Sequence, residues 1–310
     1  MTLVLALMVV VALLRAGGAK SVSDNAALIG ALVALGGVFT AQMVSIALED
    51  QRTREARDLE VQRMRVAALQ NYLKDVGELL IEKSLHQAVS GDSLSTVVRA
   101  QTMAVLEGLD PDRKRILLRF LFESKLIGRG EDQPPVVSLA SANLTYANLR
   151  EAHLSGAYLV GCRLSGANLI GAGLNSCRLA GVRLIGADLT SADLSMTNLD
   201  LSDLREANLF RAGLHEAEVL RADLTSADLT SADLSGADLS GTFLFGANLS
   251  GADLSGANLQ EAQELTQNQI EWTIGSNTTK LPEGFYRPEL WRKNIDEQIK
   301  ILREHMYGPD

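Results

Sequence analysis

The central part of the sequence predicts a four-sided solenoid, and two observations support this fold class. The first is a leucine at every fifth position from Leu139 to Leu259, with Val219 as the single exception among 25 registers. A period of five fits neither a helix nor a straight strand, because in both cases successive leucines would point in different directions. The leucines can share one interior only if the backbone turns a corner once in each repeat.

The second observation concerns the residue two positions before each leucine, which predicts the number of sides in a coil. This residue is alanine in 18 of the 25 registers. We sorted the registers into four columns, with Leu139 opening column one. Every exception then falls in column one or two, whereas columns three and four hold alanine alone. Four sides of five residues therefore predict a coil of 20 residues.

The repeated units resemble those of the pentapeptide-repeat family, whose unit reads A(D/N)LXX. Residues 232–236 and 252–256, both ADLSG, carry the resemblance most clearly. It implies a right-handed quadrilateral β-helix over 134–264, in which the leucine and the small residue two before it point inward. The residue just before the leucine points outward and is Asp or Asn in the family. This sequence departs from that pattern at Tyr158, Arg163, Gly173, Arg178, Arg183, Gly213 and Phe243.

Most of the net charge lies in the repeats. The formal net charge of the chain is −9, and residues 134–264 hold 15 acidic residues against 7 arginines. An acidic surface repels phosphate, so direct binding of nucleic acid is not expected.

The two cysteines, Cys162 and Cys177, take inward positions in different columns. This placement excludes a disulfide framework and indicates small buried residues that replace alanine.

Residues 1–48 predict a membrane anchor that inserts into a lipid bilayer. Residues 26–48 form a run of 23 residues without a charge, which is long enough for a hydrocarbon core of about 30 Å. The apolar residues 1–14 are the first arm of a helical hairpin, a signal sequence or a truncated start. A buried helix that caps the solenoid is the alternative for 26–48.

The arginines that flank residues 26–48 predict the topology of the anchor. Five arginines follow Leu48 within 52–65, whereas the loop between the two apolar segments has only Arg15 and Lys20. Cations concentrate on the cytoplasmic side of membrane proteins. We therefore expect the cytoplasmic membrane as the location, with the repeats facing the cytoplasm.

Residues 49–133 predict a cytoplasmic α-helical region with three helices. The first covers 49–90, the second runs from 93 to 108, and Asp110 with Pro111 starts a third that ends before Gly128. An apolar seam along the first helix docks within the chain or pairs two chains into a homo-oligomer through 59–80. The seam consists of Leu59, Val66, Leu69, Leu73, Val76 and Leu80.

Residues 265–310 predict a C-terminal cap and a tail helix over 294–306. An open coil end exposes unpaired backbone groups and needs a cover. We expect the apolar part of this cover to come from Trp272, Phe285, Tyr286 and Trp291.

The sequence contains no recognisable catalytic, cofactor or metal site. Its four histidines are scattered, and no phosphate-binding loop appears. A ladder of Asp and Asn in column three would spread its oxygens along a flat wall, whereas calcium needs them to converge. We therefore expect no enzyme activity and no cofactor, and an uncharacterised enzyme is the least favoured alternative.

The outward residues of columns one and two predict a docking surface. Apolar residues and arginines concentrate there, and either an unidentified protein partner or the chain's own helices dock on them. The candidate docking surface comprises Tyr158, Val160, Arg163, Arg178, Arg183, Ile185, Arg205, Leu220, Phe243 and Phe245. The favoured function is a membrane-anchored, non-catalytic protein–protein interaction scaffold.

The family resemblance also implies an alternative function, because some pentapeptide-repeat proteins mimic DNA and bind gyrase. Charge density argues against this alternative. Duplex DNA carries about 18 charges over about 30 Å, whereas the repeats carry 15 acidic residues against 7 arginines over a comparable length.

Overall fold

The computed structural model describes residues 22–82, 85, 88, 91–128 and 134–308. The chain forms two compact units, Met1–Met64 and Arg65–Asp310. Within the described residues the helices are α1 (Val22–Glu82), α2 (Ser93–Gly108), α3 (Pro111–Glu123), α4 (Gln267–Glu271), a 3-10 helix (Glu289–Arg292) and α5 (Ile295–Tyr307).

The first unit contains the N-terminal part of α1. Among the residues described, no helix is both long enough and apolar enough to cross a membrane. Residues 1–14 and most side chains of 26–48 lie outside the described part of the chain. The predicted membrane anchor therefore gains no support from the structure.

The C-terminal part of α1 packs inside the second unit. Leu69 and Val76 of the predicted seam are buried, whereas Leu59 is 54% exposed. The hydroxyl groups of Tyr72 and Thr102 lie 2.6 Å apart and join α1 to α2. This part of the seam docks within the chain, and pairing of two chains through 59–80 stays a prediction. The expectation that this helix continues to residue 90 was wrong, because α1 ends at Glu82.

Side chains and turns define the ends of α2 and α3. Asp92 accepts a hydrogen bond from the Ser95 amide at 2.6 Å and caps α2, and Asp110 caps α3 in the same way. The expected continuation of α3 to Ile127 was wrong. Lys125 adopts a left-handed φ of 55°, and the Leu126 amide bonds back to the Leu121 carbonyl, which closes the helix.

The repeats turn a corner at every fifth residue. In the unit that begins with Leu144, the Ala147 amide donates to the Leu144 carbonyl at 3.0 Å and closes a β-turn. The third residue of this turn, Tyr146, has a φ of 57°, as a type II turn requires. The same position has a positive φ in all 25 turns from 141 to 261, and it is glycine in eleven of them. This repeated turn confirms the predicted corner.

Parallel pairing between coils confirms four sides. From Asn143 to Phe243, the residue before each inward leucine or valine forms a bridge with the residue 20 positions later, for example Arg163 with Arg183. The Leu144 amide donates to the Arg163 carbonyl, and the Arg163 amide donates to the Ala142 carbonyl. Only about one residue per side can bridge because turns interrupt every side. The leucines at every fifth position from 139 to 259 are all buried and form the core of the coil.

The α-helical region covers the N-terminal end of the coil. The Ile127 carbonyl accepts the Tyr158 amide at 2.7 Å, a bond that a preceding coil would otherwise supply. The buried ammonium group of Lys114 donates to the Thr145 carbonyl at 3.1 Å. Arg99 donates to two further carbonyls of the first coil, at residues 138 and 140. Ile127 thus satisfies an amide donor of the coil, and Lys114 and Arg99 satisfy carbonyl acceptors that have no preceding coil to pair with.

The C-terminal segment closes the other end. Ile274 and Lys280 continue the ladder through bridges to Asp253 and Asn258. The buried Trp291 donates from Nε1 to the Thr273 carbonyl at 3.0 Å, as expected for a cap.

Two of the four aromatic residues predicted to cover the C-terminal end do not do so. Trp272 is 41% and Tyr286 63% exposed, whereas Phe285 is half-buried. Trp272 follows α4 and lies against His305 of α5 with 3.5 Å between the ring centroids. The tail helix is confirmed, because α5 begins after Asn294, which caps the Glu297 amide.

Candidate protein-docking surface

The outward residues of column two form one continuous row, which we call wall two. Adjacent members are joined by parallel bridges, so their spacing is about 4.8 Å. Wall two comprises Asn143, Arg163, Arg183, Asp203, Asp223, Phe243 and Gln263. Three of the ten candidate residues therefore lie in a single row, as the column assignment predicted.

The N-terminal part of wall two is basic. The Arg163 guanidinium lies 3.2 Å from a carboxylate oxygen of Glu107 in α2, and the Asn143 amide donates to the other oxygen at 2.9 Å. The Arg183 side chain is exposed, and no ion pair to it occurs among the residues that the structure describes. Arg163 is thus partly neutralised by an ion pair, whereas Arg183 is exposed to solvent and, after Arg205, helps to lower the pKa of the neighbouring Asp203 by electrostatic attraction.

The middle of wall two is partly neutralised internally. Arg205, at the following corner, makes two hydrogen bonds of 2.8 Å to the carboxylate of Asp203, and its Nε lies 3.7 Å from Asp223. The hydrogen bonds from Arg205 hold the pKa of Asp203 below its usual range. Paired fork geometry of this kind orients both side chains. Arg205 offsets one of these two carboxylates, so one net negative charge remains at the middle of wall two.

The C-terminal part of wall two is apolar. Phe243 stands where the family pattern has Asp or Asn, and 38% of its surface is exposed. Phe245, at the next corner, is 61% exposed, and Leu220 on the preceding coil is 38% exposed. Aromatic side chains grouped at a surface are typical of protein-binding sites.

Glycines flank wall two on both sides at the same three coils. These six corner residues are Gly161 with Gly166, Gly181 with Gly186, and Gly241 with Gly246. A Cβ atom placed at Gly181 or Gly186 would meet no other atom within 4 Å. Beside Arg183 the two glycine positions therefore leave room for another backbone, and Ile185, next to Gly186, is half-buried.

Among the candidate residues of column one, Tyr158, Val160 and Arg178 lie closer to the N-terminal cap. The Arg178 guanidinium lies 6.0 Å from the centre of the Tyr158 ring, within reach of a cation–π interaction. Tyr158 and Val160 are half-buried, as is Ile185 at the corner after wall two. These residues extend the docking surface but expose less apolar area than the two phenylalanines.

Sequence reasoning missed three exposed apolar residues at the corners themselves. Tyr146 is 71%, Leu201 68% and Met196 54% exposed. Each is the second residue after an inward leucine, where glycine and serine are frequent in this sequence. An apolar residue at that position was the signal that could have found them. Tyr146 and Leu201 lie at corners that border wall two, whereas Met196 lies at the corner between columns four and one.

The described residues offer few groups that could bind a metal ion or act as a nucleophile. No group of three or more His, Cys, Asp or Glu side chains in the described part of the chain could hold a metal ion. In column three, the Asn208 amide donates to Asp188 at 3.2 Å, so this ladder bonds to itself. Burial raises the pKa of Cys162 and of Cys177 to about 12. Neither thiol is therefore an activated nucleophile.

Comparison with known proteins identifies the repeats. The family described as pentapeptide repeats matches with eight copies, over residues 138–175, 167–206, 207–244 and 232–263. No curated protein sequence matches the chain.

Several solved structures are similar to the repeat region. Rfr23 from the cyanobacterium Cyanothece 51142 is 36% identical over 29% of this chain and 60% of its own, with a TM-score of 0.28. HetL from Nostoc sp. strain PCC 7120, a protein involved in heterocyst differentiation regulation, is 33% identical over 49% of this chain and 73% of its own, with a TM-score of 0.25. QnrB1, a plasmid-mediated fluoroquinolone resistance protein, is 18% identical over 50% of this chain and 85% of its own, with a TM-score of 0.35. At that identity the likeness to QnrB1 concerns the fold alone.

Proposed function

This chain belongs to the pentapeptide-repeat family, and we propose that it is a non-catalytic scaffold whose repeat region binds a partner protein. The observation that carries the proposal is the exposure of Phe243 on wall two and of Phe245 at the adjoining corner. Exposing both rings to water is unfavourable unless a partner covers them. The continuous backbone ladder holds them on a regular surface, so little entropy is lost on binding.

Photocrosslinking in cells tests this function. We would replace Phe243 by the photoreactive benzoylphenylalanine, and use the exposed Asp233 of column four as the matched control position. We expect a discrete protein adduct from position 243 that is lost when Phe245 is changed to Ser. Adducts of equal yield from both positions would contradict the proposal.

We extend the proposal to a membrane tether over residues 1–48, with the repeats at the cytoplasmic face. The run of 23 uncharged residues at 26–48 and the arginines that follow support it. A spanning segment resists extraction by alkaline carbonate, and charges at its centre oppose insertion. We therefore expect the full chain in the carbonate-resistant membrane fraction, and its release by Val33→Arg with Leu35→Arg. Recovery of the unaltered chain in the soluble fraction would rule out the tether.

The alternative of a gyrase-binding DNA mimic has less support. Wall two presents Arg163 and Arg183 in consecutive coils, whereas mimicry of a phosphate backbone requires acidic walls. We expect the full chain in detergent to leave DNA supercoiling by gyrase unchanged. Inhibition at a stoichiometric ratio would favour the alternative.

A further inference from the structure

We propose that wall two binds an extended acidic segment of the partner protein, with a carboxylate at Arg183 and an apolar side chain over Phe243 and Phe245. The inference rests on the proposed function and adds the chemistry of the partner. Three features carry it: the distribution of charge, the distance between the two contact points, and the open edges of the wall.

Charge complementarity selects an acidic segment. Arg183 is exposed and has no ion pair among the described residues, whereas Arg205 is already bound to Asp203. The chain as a whole carries a net charge of −9. An acidic segment is therefore repelled by most of this surface and attracted where Arg183 and Arg163 lie together. Such an arrangement gives the segment one preferred site and one preferred direction.

The distance between the two contact points defines the spacing in the partner. Three successive bridges lead from Arg183 through Asp203 and Asp223 to Phe243, which corresponds to about 14 Å at about 4.8 Å per coil. An extended chain rises about 3.3 Å per residue, so it covers this distance in about four residues. The middle of the wall keeps one net negative charge after Asp203 and Asp223 pair with Arg205, so the segment carries small uncharged residues opposite it.

The edges of the wall favour an extended backbone. Glycine corners flank both Arg183 and Phe243, and those beside Arg183 have free space around them. A peptide backbone can approach closely where the corners have no side chains. The side chains of Leu201 and Glu206 interrupt these open edges near the middle of the wall, so the two contact points remain distinct.

Synthetic peptides test the spacing and the chemistry together. The probes are dye-labelled peptides with two adjacent glutamates and one phenylalanine, separated by one, three or six Gly/Ser residues. Binding to the full chain in detergent micelles is measured by fluorescence anisotropy. We expect the three-residue spacer to bind most tightly, because it places the phenylalanine four residues from the nearer glutamate. Replacement of the glutamates by glutamines should abolish the preference.

Variants of the protein test whether Arg183 and Phe243 each contribute to peptide binding. We expect Arg183→Glu to weaken binding about fivefold and Phe243→Ser to weaken it about tenfold. Arg211→Glu and Phe210→Ser on column three are the matched controls and should leave affinity unchanged. Arg183→Gln, which removes the charge without reversing it, should give an intermediate loss. Circular dichroism confirms that each variant keeps the fold.

Three results would overturn the inference: equal affinity for all spacers, equal loss from the column-three controls, or no binding tighter than about 1 mM. Photocrosslinking distinguishes failure of the acidic-segment inference from failure of the proposed scaffold function. Adducts from position 243 without any preference for acidic peptides would leave the scaffold intact and refute the acidic segment. If neither adducts from position 243 nor a preference for acidic peptides is observed, both the scaffold function and the acidic segment are refuted.

Discussion

The thiol of Cys162 donates a hydrogen bond to the backbone carbonyl of Leu139 on the preceding coil, with 3.0 Å between Sγ and O. Cys177 makes the same contact with Leu154, also at 3.0 Å. Each carbonyl already accepts an amide of its own turn, so the thiol uses the second lone pair. A polar residue can therefore replace the inward alanine at positions where its hydrogen can reach this corner carbonyl.

The two buried thiols predict a loss of stability at high pH. Burial raises the pKa of each to about 12, whereas a cysteine in an unfolded chain ionises near pH 8.5. The unfolded chain therefore releases these protons first, so the thiol contribution is intact below about pH 8.5 and declines above it. At pH 10 each thiol should lower the free energy of unfolding by about 2 kcal/mol.

Urea denaturation at pH 7.5 and pH 10 measures this effect. Between these pH values the double variant Cys162→Ala, Cys177→Ala should lose about 4 kcal/mol less stability than the unaltered chain. Other titrating groups are common to both proteins and cancel in the comparison. If both proteins lose the same stability, the thiols are not buried as described.

The inward hydroxyl of Ser202 predicts a stabilising substitution. Its Oγ is buried and has no hydrogen-bond partner among the residues that the structure describes, so Ser202→Ala should raise the free energy of unfolding by about 1 kcal/mol. Thr197 is the matched control, because its hydroxyl donates to the Leu174 carbonyl at 2.9 Å. Thr197→Val should lower the same quantity by about 1 kcal/mol. Urea denaturation curves would disprove the assignment if the two changes had the same sign.

Substitutions at two glycine corners distinguish the stability cost of backbone strain from the cost of steric contact. Gly186 has a φ of 61° and open space around it, so Gly186→Ala should cost about 1 kcal/mol from the left-handed backbone alone. At Gly166 an added Cβ would lie 2.4 Å from Cε1 of Tyr146, so Gly166→Ala should cost at least about 0.5 kcal/mol more. Adding Tyr146→Ala should remove that excess. If thermal denaturation shows that the double variant still loses this additional stability, contact with Tyr146 is not its cause.

The two tryptophans of the cap should differ in their effect on stability. Trp291 is buried and its indole packs at the position that a Gly275 Cβ would occupy, so Trp291→Ala should cost about 3–5 kcal/mol. Trp272 is 41% exposed and stacks on His305, so Trp272→Ala should cost about 1 kcal/mol. Equal losses in urea denaturation would contradict the described cap.

Local patterns in the sequence predicted local features correctly. Asp110 before Pro111 caps α3 as expected, because an N-cap involves residues within a few positions of each other. The tail helix was also predicted, although Asn294 is its N-cap rather than its first helical residue. The predictions for Trp272 and Tyr286 were wrong because aromatic composition does not indicate which side of a segment faces the core. The end of α3 was missed because it depends on a left-handed Lys125, a residue type that gives no turn signal.

The sequence by itself determined the coil, its four columns and the row to which each outward residue belongs. It did so because the turn, the buried leucine and the inward alanine all lie within five residues and repeat along the chain. Only the tertiary structure decided which charges of that row remain available. Glu107 reaches Arg163 across 56 positions of the sequence, and Arg205 bonds Asp203 while Arg183 stays exposed. Charge pairing depends on which elements the fold brings together, and a repeating pattern carries no information about partners outside it.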